Sequence, residues 1–447
     1  MAAPFKSVQL EAAIGLNMQD DTTEKVRKGP EVSRELFGGV LDFDAAGHYP
    51  GLELLNFVYC GAGEDPLPAG DTVKITRRSH DFGRRLVWDS SFKDDPRRHN
   101  VLLDDAAAEE TLRELLRCLQ LDIPSGAKEP KWSRAHFFPY TQSLIHWDAR
   151  ERYGSIRVER LYLRGGGALA FKILRSDPDT MRLECIREGF KLLYSATVES
   201  PLEILAGFIN EQSKTDEQPV VDDIEKATQA NLDDFENVYR DGILNILQQG
   251  DATSVAKIRA VMGWTALWLV LMQNRRARHS LGMAESPIIC DCGAGSPQLR
   301  RASQRCLQQV LGNIVGAVVH AEPGIASAQR NKIRSFFWAT AAANGFLNAW
   351  RGRKHFTFSV DALEMIVLAT IPAVHGMPFE RFVTEVLYDR LGLAVGRGAA
   401  EASGLVNSID ASIFEENEAQ LALQMIAAGL VTQYSDATRM VSRRTAS

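Results

Sequence analysis

The sequence predicts an α+β protein: a mixed N-terminal α/β region, a helical middle region, and a carboxy-terminal module of three helices followed by a hairpin. Three observations carry this. Short apolar runs broken by Gly, Pro and Asp occupy residues 1–180, helical periodicity dominates from about residue 178, and the last ninety or so residues change order to helix, helix, helix, strand, turn, strand. A chain of 447 residues is long for one core, so domains are expected at 1–180 (mixed α+β), 181–355 (helical, with a basic face) and 356–447. Apolar content of 45% and charged content of 24% are ordinary for a globular protein.

In the first region Leu52–Tyr59, Val73–Ile75 and Leu86–Trp88 read as strands, and residues 106–120 as an amphipathic helix through Leu112, Leu115, Leu116 and Leu119. Ile156–Leu163, a Gly165-Gly166-Gly167 turn and Ala168–Leu174 read as a hairpin, because Leu169, Phe171 and Ile173 alternate. No GK[ST] follows the glycines, so they are not a phosphate loop. Helices are then expected at 179–195, 201–212, 221–249, 252–279, 297–311, 325–350, 360–371, 378–391 and 414–428. Brief strands at Ile288–Cys290 and Phe356–Phe358 interrupt them, and Lys214–Gln218, closed by Pro219, reads as a surface loop.

Charge is sorted into blocks. Residues 256–355 hold 14 Lys/Arg and only three acids (Glu285, Asp291, Glu322), a local charge of +11 in a protein of net charge −6. Residues 197–251 hold 13 acids against Lys214, Lys226 and Arg240, a local charge of −10. Such a basic block calls for anionic company, either nucleic acid or the chain's own acids Asp222, Asp223, Asp233, Asp234 and Glu236. Arg275, Arg276 and Arg278 close one expected helix, and Arg351, Arg353 and Lys354 close another, where the helix dipole accounts for cations. Arg300, Arg301 and Arg305 follow a Ser296 cap and Pro297, so the first turn carries cations that the dipole disfavours. Arg330 and Arg334 share a face one turn apart, with Lys332 on another. Together these cations form a candidate phosphate-backbone track.

Six cysteines (Cys60, Cys118, Cys185, Cys290, Cys292, Cys306) are too scattered for a disulfide framework. Cys290 and Cys292 have no second ligand pair nearby, and no metal or other cofactor is expected. The apolar run Val261–Met272 covers about a dozen residues, short of the ~20 that span a bilayer. The opening MAAPFKSVQLEAA does not read as a signal peptide. A cytoplasmic protein without a membrane partner is expected. No H-E-x-x-H, G-x-S-x-G or P-loop occurs. Glu129 and Lys131 sit in a Pro/Gly-rich loop, and His146 and Asp148 flank Trp147 on opposite strand faces, so neither pair reads as catalytic.

The carboxy-terminal pattern resembles a winged helix. Asp361–Ile371 presents Leu363, Ile366 and Val367 inward, Pro378 opens a second helix, and Phe414–Ala428 forms a third that ends at Gly429. Leu430–Tyr434 and Thr438–Arg443 make the wing. The stretch Arg397–Ile413 is longer than the usual turn between helices two and three. The resemblance implies a third helix in the major groove and a wing on phosphates. Asn417, Gln420 and Gln424 would then face base edges, and Arg439, Arg443 and Arg444 would contact phosphate. Glu415, Glu416 and Glu418 oppose this, as does the −5 charge of 356–447, with 11 acids and six Lys/Arg.

CDCGAGSP at 290–297, after apolar Pro287–Ile289, resembles the D-x-G-x-G turn of class I methyltransferases. That resemblance implies a cofactor (SAM) site near Asp291, a second strand at Ile314–His320 and a ribose-holding Glu322. Pro297 stands where a further Gly is usual.

The expected function is a non-catalytic DNA-binding or adaptor subunit of a multi-protein DNA-processing assembly, bacterial anti-phage defence among the settings. Its partners are DNA, duplex rather than single strand, and other protein subunits. Its candidate contacts are Arg275, Arg276, Arg300, Arg301, Arg305, Arg330, Arg334, Arg353, Lys354, Gln420, Gln424, Arg439 and Arg443. The alternatives are a protein–protein scaffold using the winged helix to dock partners, and the methyltransferase-like enzyme.

Overall fold

The computed structural model describes residues 26–42, 50–59, 65–69, 166–194, 211, 233–348, 353–372, 376–434 and 438–442, together with the backbone of four strands at 73–79, 149–152, 155–158 and 214–220. Among these residues the chain is mostly helical, with a few small sheets.

In chain order the elements are α1 (Gly29–Phe37), α2 (Pro50–Tyr59), β1 (Val73–Ser79), β2 (Ala149–Arg152), β3 (Ser155–Val158), α3 (Gly167–Arg175), α4 (Thr180–Leu193), β4 (Lys214–Val220), α5 (Asp233–Leu247), α6 (Ser254–Ser280), β5 (Ile288–Ile289), α7 (Pro297–Ala321), α8 (Ser327–Ala343) and α9 (Val360–Thr370). Then come β6 (Met377–Pro378), α10 (Phe379–Arg381), which runs on as a π-helix over Phe382–Arg390, β7 (Leu393–Ala394), α11 (Arg397–Ala402), a 3₁₀ turn at Leu405–Asn407, α12 (Ala411–Ala427), β8 (Val431–Gln433) and β9 (Arg439–Val441).

The hub is α6. Thr253 caps its start by accepting from the Ala256 N–H, and it is apolar on nearly every side, with Trp264, Leu267, Trp268 and Leu271 among its buried residues. A helix hydrophobic all round belongs inside a protein or a membrane. Here α2, α5, α7, α8, α9 and α1 pack around it. It is the one described helix long and apolar enough to cross a bilayer, and 72% of its apolar window is buried in the protein. A single contiguous core runs from Val32 to Val441, drawing on all three expected regions.

Four expectations are corrected. Residues 52–59 are helical, within α2, and the supposed hairpin strand 168–174 is helix α3, while β3 pairs back with β2. Gly166 (φ 94°) caps α3, and Gly167 lies so close to Glu53 and the Leu54 backbone that no Cβ fits. Both glycines thus serve helix packing, with no turn between strands. Residues 214–218 are no loop: β4 runs antiparallel to β1, with Pro219 opposite Lys74. Residues 314–320 lie inside α7, which continues ten residues beyond its expected end. Residues 86–88, 106–120, 129–131, 146–148 and 201–210 lie outside the described residues.

The carboxy-terminal helices α9, α10 with its π-helical continuation, and α12 are followed by the antiparallel pair β8–β9, with β6 added on the other edge of β9. The long 397–413 connection folds as α11 and the 3₁₀ turn, and α11 packs on α12.

Candidate functional site

The most constrained polar geometry lies where β5 ends. β5 pairs in parallel with β7, and Cys290 bridges in parallel to Phe356, so Asp291 sits at the carboxyl end of a small parallel ladder. Its N–H donates to the Phe356 carbonyl at 2.9 Å. The turn that follows needs left-handed backbone at Gly293 (φ 94°) and Gly295 (φ 73°), which glycine adopts without strain. Ser296 then caps α7 by accepting from the Leu299 N–H, with Pro297 in the first turn.

Asp291 is buried at 2% exposure, yet its acceptors are taken. Oδ1 accepts from the Gly293 N–H at 3.0 Å, Oδ2 accepts from Arg300 Nε at 3.1 Å, and His355 Nε2 stands 3.6 Å from the same Oδ2. His355 is 9% exposed, and its Nδ1 is buried without a hydrogen-bond partner. Burial holds its pKa below the ordinary imidazole value; Asp291 pulls it up and Arg300 pushes it down. This carboxylate organises a turn.

The turn is pinned from the far side by α12. Asn417, fully buried, accepts from the Cys292 N–H at 2.7 Å and donates to the Cys290 and Val395 carbonyls at 2.9 and 3.0 Å. Gln424 donates to the Cys292 carbonyl at 2.8 Å. Asn417 therefore lies on the inward stripe of α12, contrary to the base-reading face expected of it, and Gln424 is engaged with the chain's own backbone. Gln420 donates to Glu416 on the exposed side.

The expected cation track resolves into residues of very different situation. Arg276 is buried at 1% exposure, pairs with Glu236 at 3.2 Å and donates to the Phe37 carbonyl, so it cannot contact phosphate. Arg275 stacks on the Phe235 ring at 3.9 Å and donates to the Arg390 carbonyl, and its burial lowers its pKa. Arg353 and Lys354 do not close a helix, since α8 ends at Ala343; Lys354 lies over the Trp338 ring at 3.8 Å, and Arg353 is exposed. Arg300 is committed to Asp291. Arg334 is half-buried, with an Nε that has no hydrogen-bond partner. Arg439 pairs with Glu380 at 2.7 Å and lies over the Phe379 ring. Arg443 lies outside the described residues.

Arg301, Arg305, Arg330 and Arg353 have no carboxylate partner among the described residues. Arg301 donates only to the Pro297 carbonyl one turn back, and Arg330 only to Ser327. Arg301 and Arg305 share an exposed face of α7 with Gln298, Gln304 and Gln308, and these five residues alone line the shallow groove along it. The chain bends back between α7 and α8 within five residues, and Phe356 touches both Ser303 and Phe337. The two helices therefore run antiparallel, so Arg330, near the start of α8, lies toward the carboxyl end of α7 and away from Arg301. Through His355 and Asp291, Arg353 lies at the Arg300 end.

The glutamines of the α7 face were not singled out as candidates, although their spacing from Arg301 and Arg305 was readable. No group of three or more His, Cys, Asp or Glu is placed to hold a metal among the described residues. Burial pushes the Cys290, Cys292 and Cys306 thiols up, which suits inert core residues. The second strand that the methyltransferase resemblance implied is helix, and Glu322 is the residue that ends α7 and pairs with Arg27 at 3.0 Å. No protein-family model matches the chain, and no curated protein or solved structure is significantly similar to it.

Proposed function

We propose that this chain is a non-catalytic DNA-binding or adaptor subunit of a larger DNA-processing assembly, and that it meets duplex DNA through the exposed face at the start of α7. One observation carries the reading: Arg301 and Arg305 stand exposed on the N-terminal half of α7, and among the described residues no carboxylate neutralises either. A phosphate backbone supplies the missing charge. Exposed Arg353 extends this end of the surface. The order of α9, α10, α12 and β8–β9 fits a winged helix. With Asn417 and Gln424 turned into the protein and Arg439 paired with Glu380, that module is better suited to docking a partner than to reading DNA. Transcription, replication or repair, and bacterial anti-phage defence are all settings for such a subunit.

The test is salt-titrated binding of the purified chain to duplex and single-stranded probes. The double variant Arg301→Glu/Arg305→Glu should lose duplex retention at moderate salt while keeping its circular dichroism spectrum. Arg300 is left alone because its ion pair with buried Asp291 is structural. Unchanged retention by the double variant would overturn the proposal.

A scaffold role has its own supporting observation. A cleft of about 540 Å³ opens between α6, α8 and α9, with exposed Val255 in its lining. Stable co-purifying subunits that survive nuclease treatment and are lost in Val255→Glu would favour that role.

A further inference from the structure

Resting on the DNA-binding reading above, we infer that α7 does more than hold phosphates: its exposed face reads base edges in the major groove. The face is built from two residue types. Gln298, Arg301, Arg305 and Gln308 follow one another at three- and four-residue steps, so they form a single stripe, and Gln304 flanks it. Arginine pairs bidentately with guanine O6 and N7, and glutamine with adenine N6 and N7. A surface that only needed charge would have no use for Gln304 between the arginines and Gln308 beyond them.

Three further features suit groove entry. α7 carries no acidic residue anywhere along its 25 residues, so nothing on the helix repels the backbone on either side of a groove. The groove is lined by α7 side chains; Gln298 at its start donates to the Ser408 carbonyl at 3.0 Å, so the part of the stripe open to a groove runs from Arg301 through Gln304, Arg305 and Gln308. The stripe then continues to Gly312, where an added Cβ would meet nothing within 4 Å. A mid-helix glycine destabilises a helix relative to alanine, and no packing among the described residues explains it here. A close approach from outside the protein does. From Gln298 to Gly312 the helix extends about 21 Å at 1.5 Å per residue, which is the length of roughly six base pairs at 3.4 Å each. The B-form major groove, about 12 Å wide, admits a helix, whereas the deep and narrow major groove of duplex RNA does not.

Selection from a randomised DNA duplex library, followed by competition with the selected and scrambled duplexes, tests this. The wild-type chain should enrich a short motif containing G and A and prefer it to a scrambled duplex, each good bidentate pair being worth about 5–150-fold. Arg301→Lys/Arg305→Lys keeps the charge but removes the bidentate fork. It should retain scrambled-duplex affinity within a few-fold and lose the preference for the motif, as should Gln304→Ala/Gln308→Ala. Duplex RNA of the selected sequence should not compete better than scrambled RNA. Retention of DNA with no enriched motif, or a motif unchanged in both variants, would overturn groove reading and leave the phosphate-contact proposal standing. Absence of any DNA retention at 50 mM salt would overturn both. A protein subunit bound on this face after nuclease treatment, displaced by neither duplex, would also overturn it.

Discussion

Single buried polar residues decide whether the site exists. Asn417 ties α12 to the Asp291 turn through two hydrogen bonds and to the Val395 carbonyl through a third. Asn417→Ala would strand the Cys292 N–H and two carbonyls away from water, at a cost of about 2–4 kcal/mol, read as a lower urea midpoint. Arg276 is the second such residue. It has the basic block's contact with the acidic segment, through Glu236, so here the chain's own acid answers its own cation. Arg276→Met removes this ion pair from the buried Glu236 carboxylate, which keeps its pair with Arg240 at 3.3 Å. Breaking a buried pair costs about 3–5 kcal/mol, and Arg276→Met/Glu236→Leu should recover part of it in the same measurement. His355 gives a pH dependence. Its folded pKa is depressed by burial, so the unfolded chain takes up the proton first. Its contribution to stability is therefore full above the ordinary imidazole pKa of about 6.5 and is lost as pH falls from there through the folded value. Thermal melts of His355→Phe should show a weaker dependence on pH over that window; an unaltered profile would assign the acid sensitivity elsewhere. Asn417 was also within reach of the sequence. It lies three residues after Phe414 and four before Leu421, both buried, so helical spacing alone puts it inside. A search for apolar periodicity passes over a polar residue on the inward stripe.

At the scale of elements, most of the helical half was legible because caps and periodicity agree there. Asp179, Thr253, Ser296, Ser359 and Asp410 each accept from a backbone N–H in the first turn of the helix they open. The misread helices share a cause: most of their side chains are buried. α2 and α3 are short, largely apolar runs packed on each other and on α6, and periodicity cannot separate such a run from a core strand. Pro219 hid β4 for a different reason, since proline reads as a loop signal while an edge strand tolerates it. α7 illustrates the reverse case, where an unusual residue is conspicuous and carries no structural account. Gly312→Ala should raise stability by about 0.5–1 kcal/mol, because the new methyl meets open space. If α7 approaches a DNA groove closely there, the bulkier Gly312→Leu should weaken duplex affinity without a comparable loss of folding stability. Calorimetry and binding on the same preparations separate the two effects.

At the scale of the molecule, the informative quantity is where charge is left over. The net charge is −6 over the whole chain, and the +11 block is unevenly neutralised within it. Arg259 is paired with Asp361 on the surface, Arg300 with buried Asp291, Arg276 with Glu236 in the core, and Lys257 reaches the Leu247 carbonyl. Among the described residues, Arg301, Arg305, Arg330 and Arg353 are the four cations left to meet an anion from outside, while Arg278, Arg334 and Lys354, which also pair with no carboxylate, are half-buried. That number is measurable. Each neutralised phosphate contributes about −0.9 to the slope of log K against log salt on B-form DNA. Four contacts predict a slope near −3.6 and an affinity loss of about 10²-fold between 50 and 200 mM salt, against ~10³-fold or more if six or more cations of the block engaged. The Arg301→Glu/Arg305→Glu variant should reduce the slope by about 2 where binding is still detectable. Arg330 lies toward the carboxyl end of α7, away from Arg301, so a short duplex seated at the Arg301 end need not reach it, and Arg330→Gln should then change neither slope nor affinity on that probe while lowering both on a longer one. A wild-type slope near zero would mean that the leftover charge is answered by a protein partner, and would assign the α7 face to subunit docking.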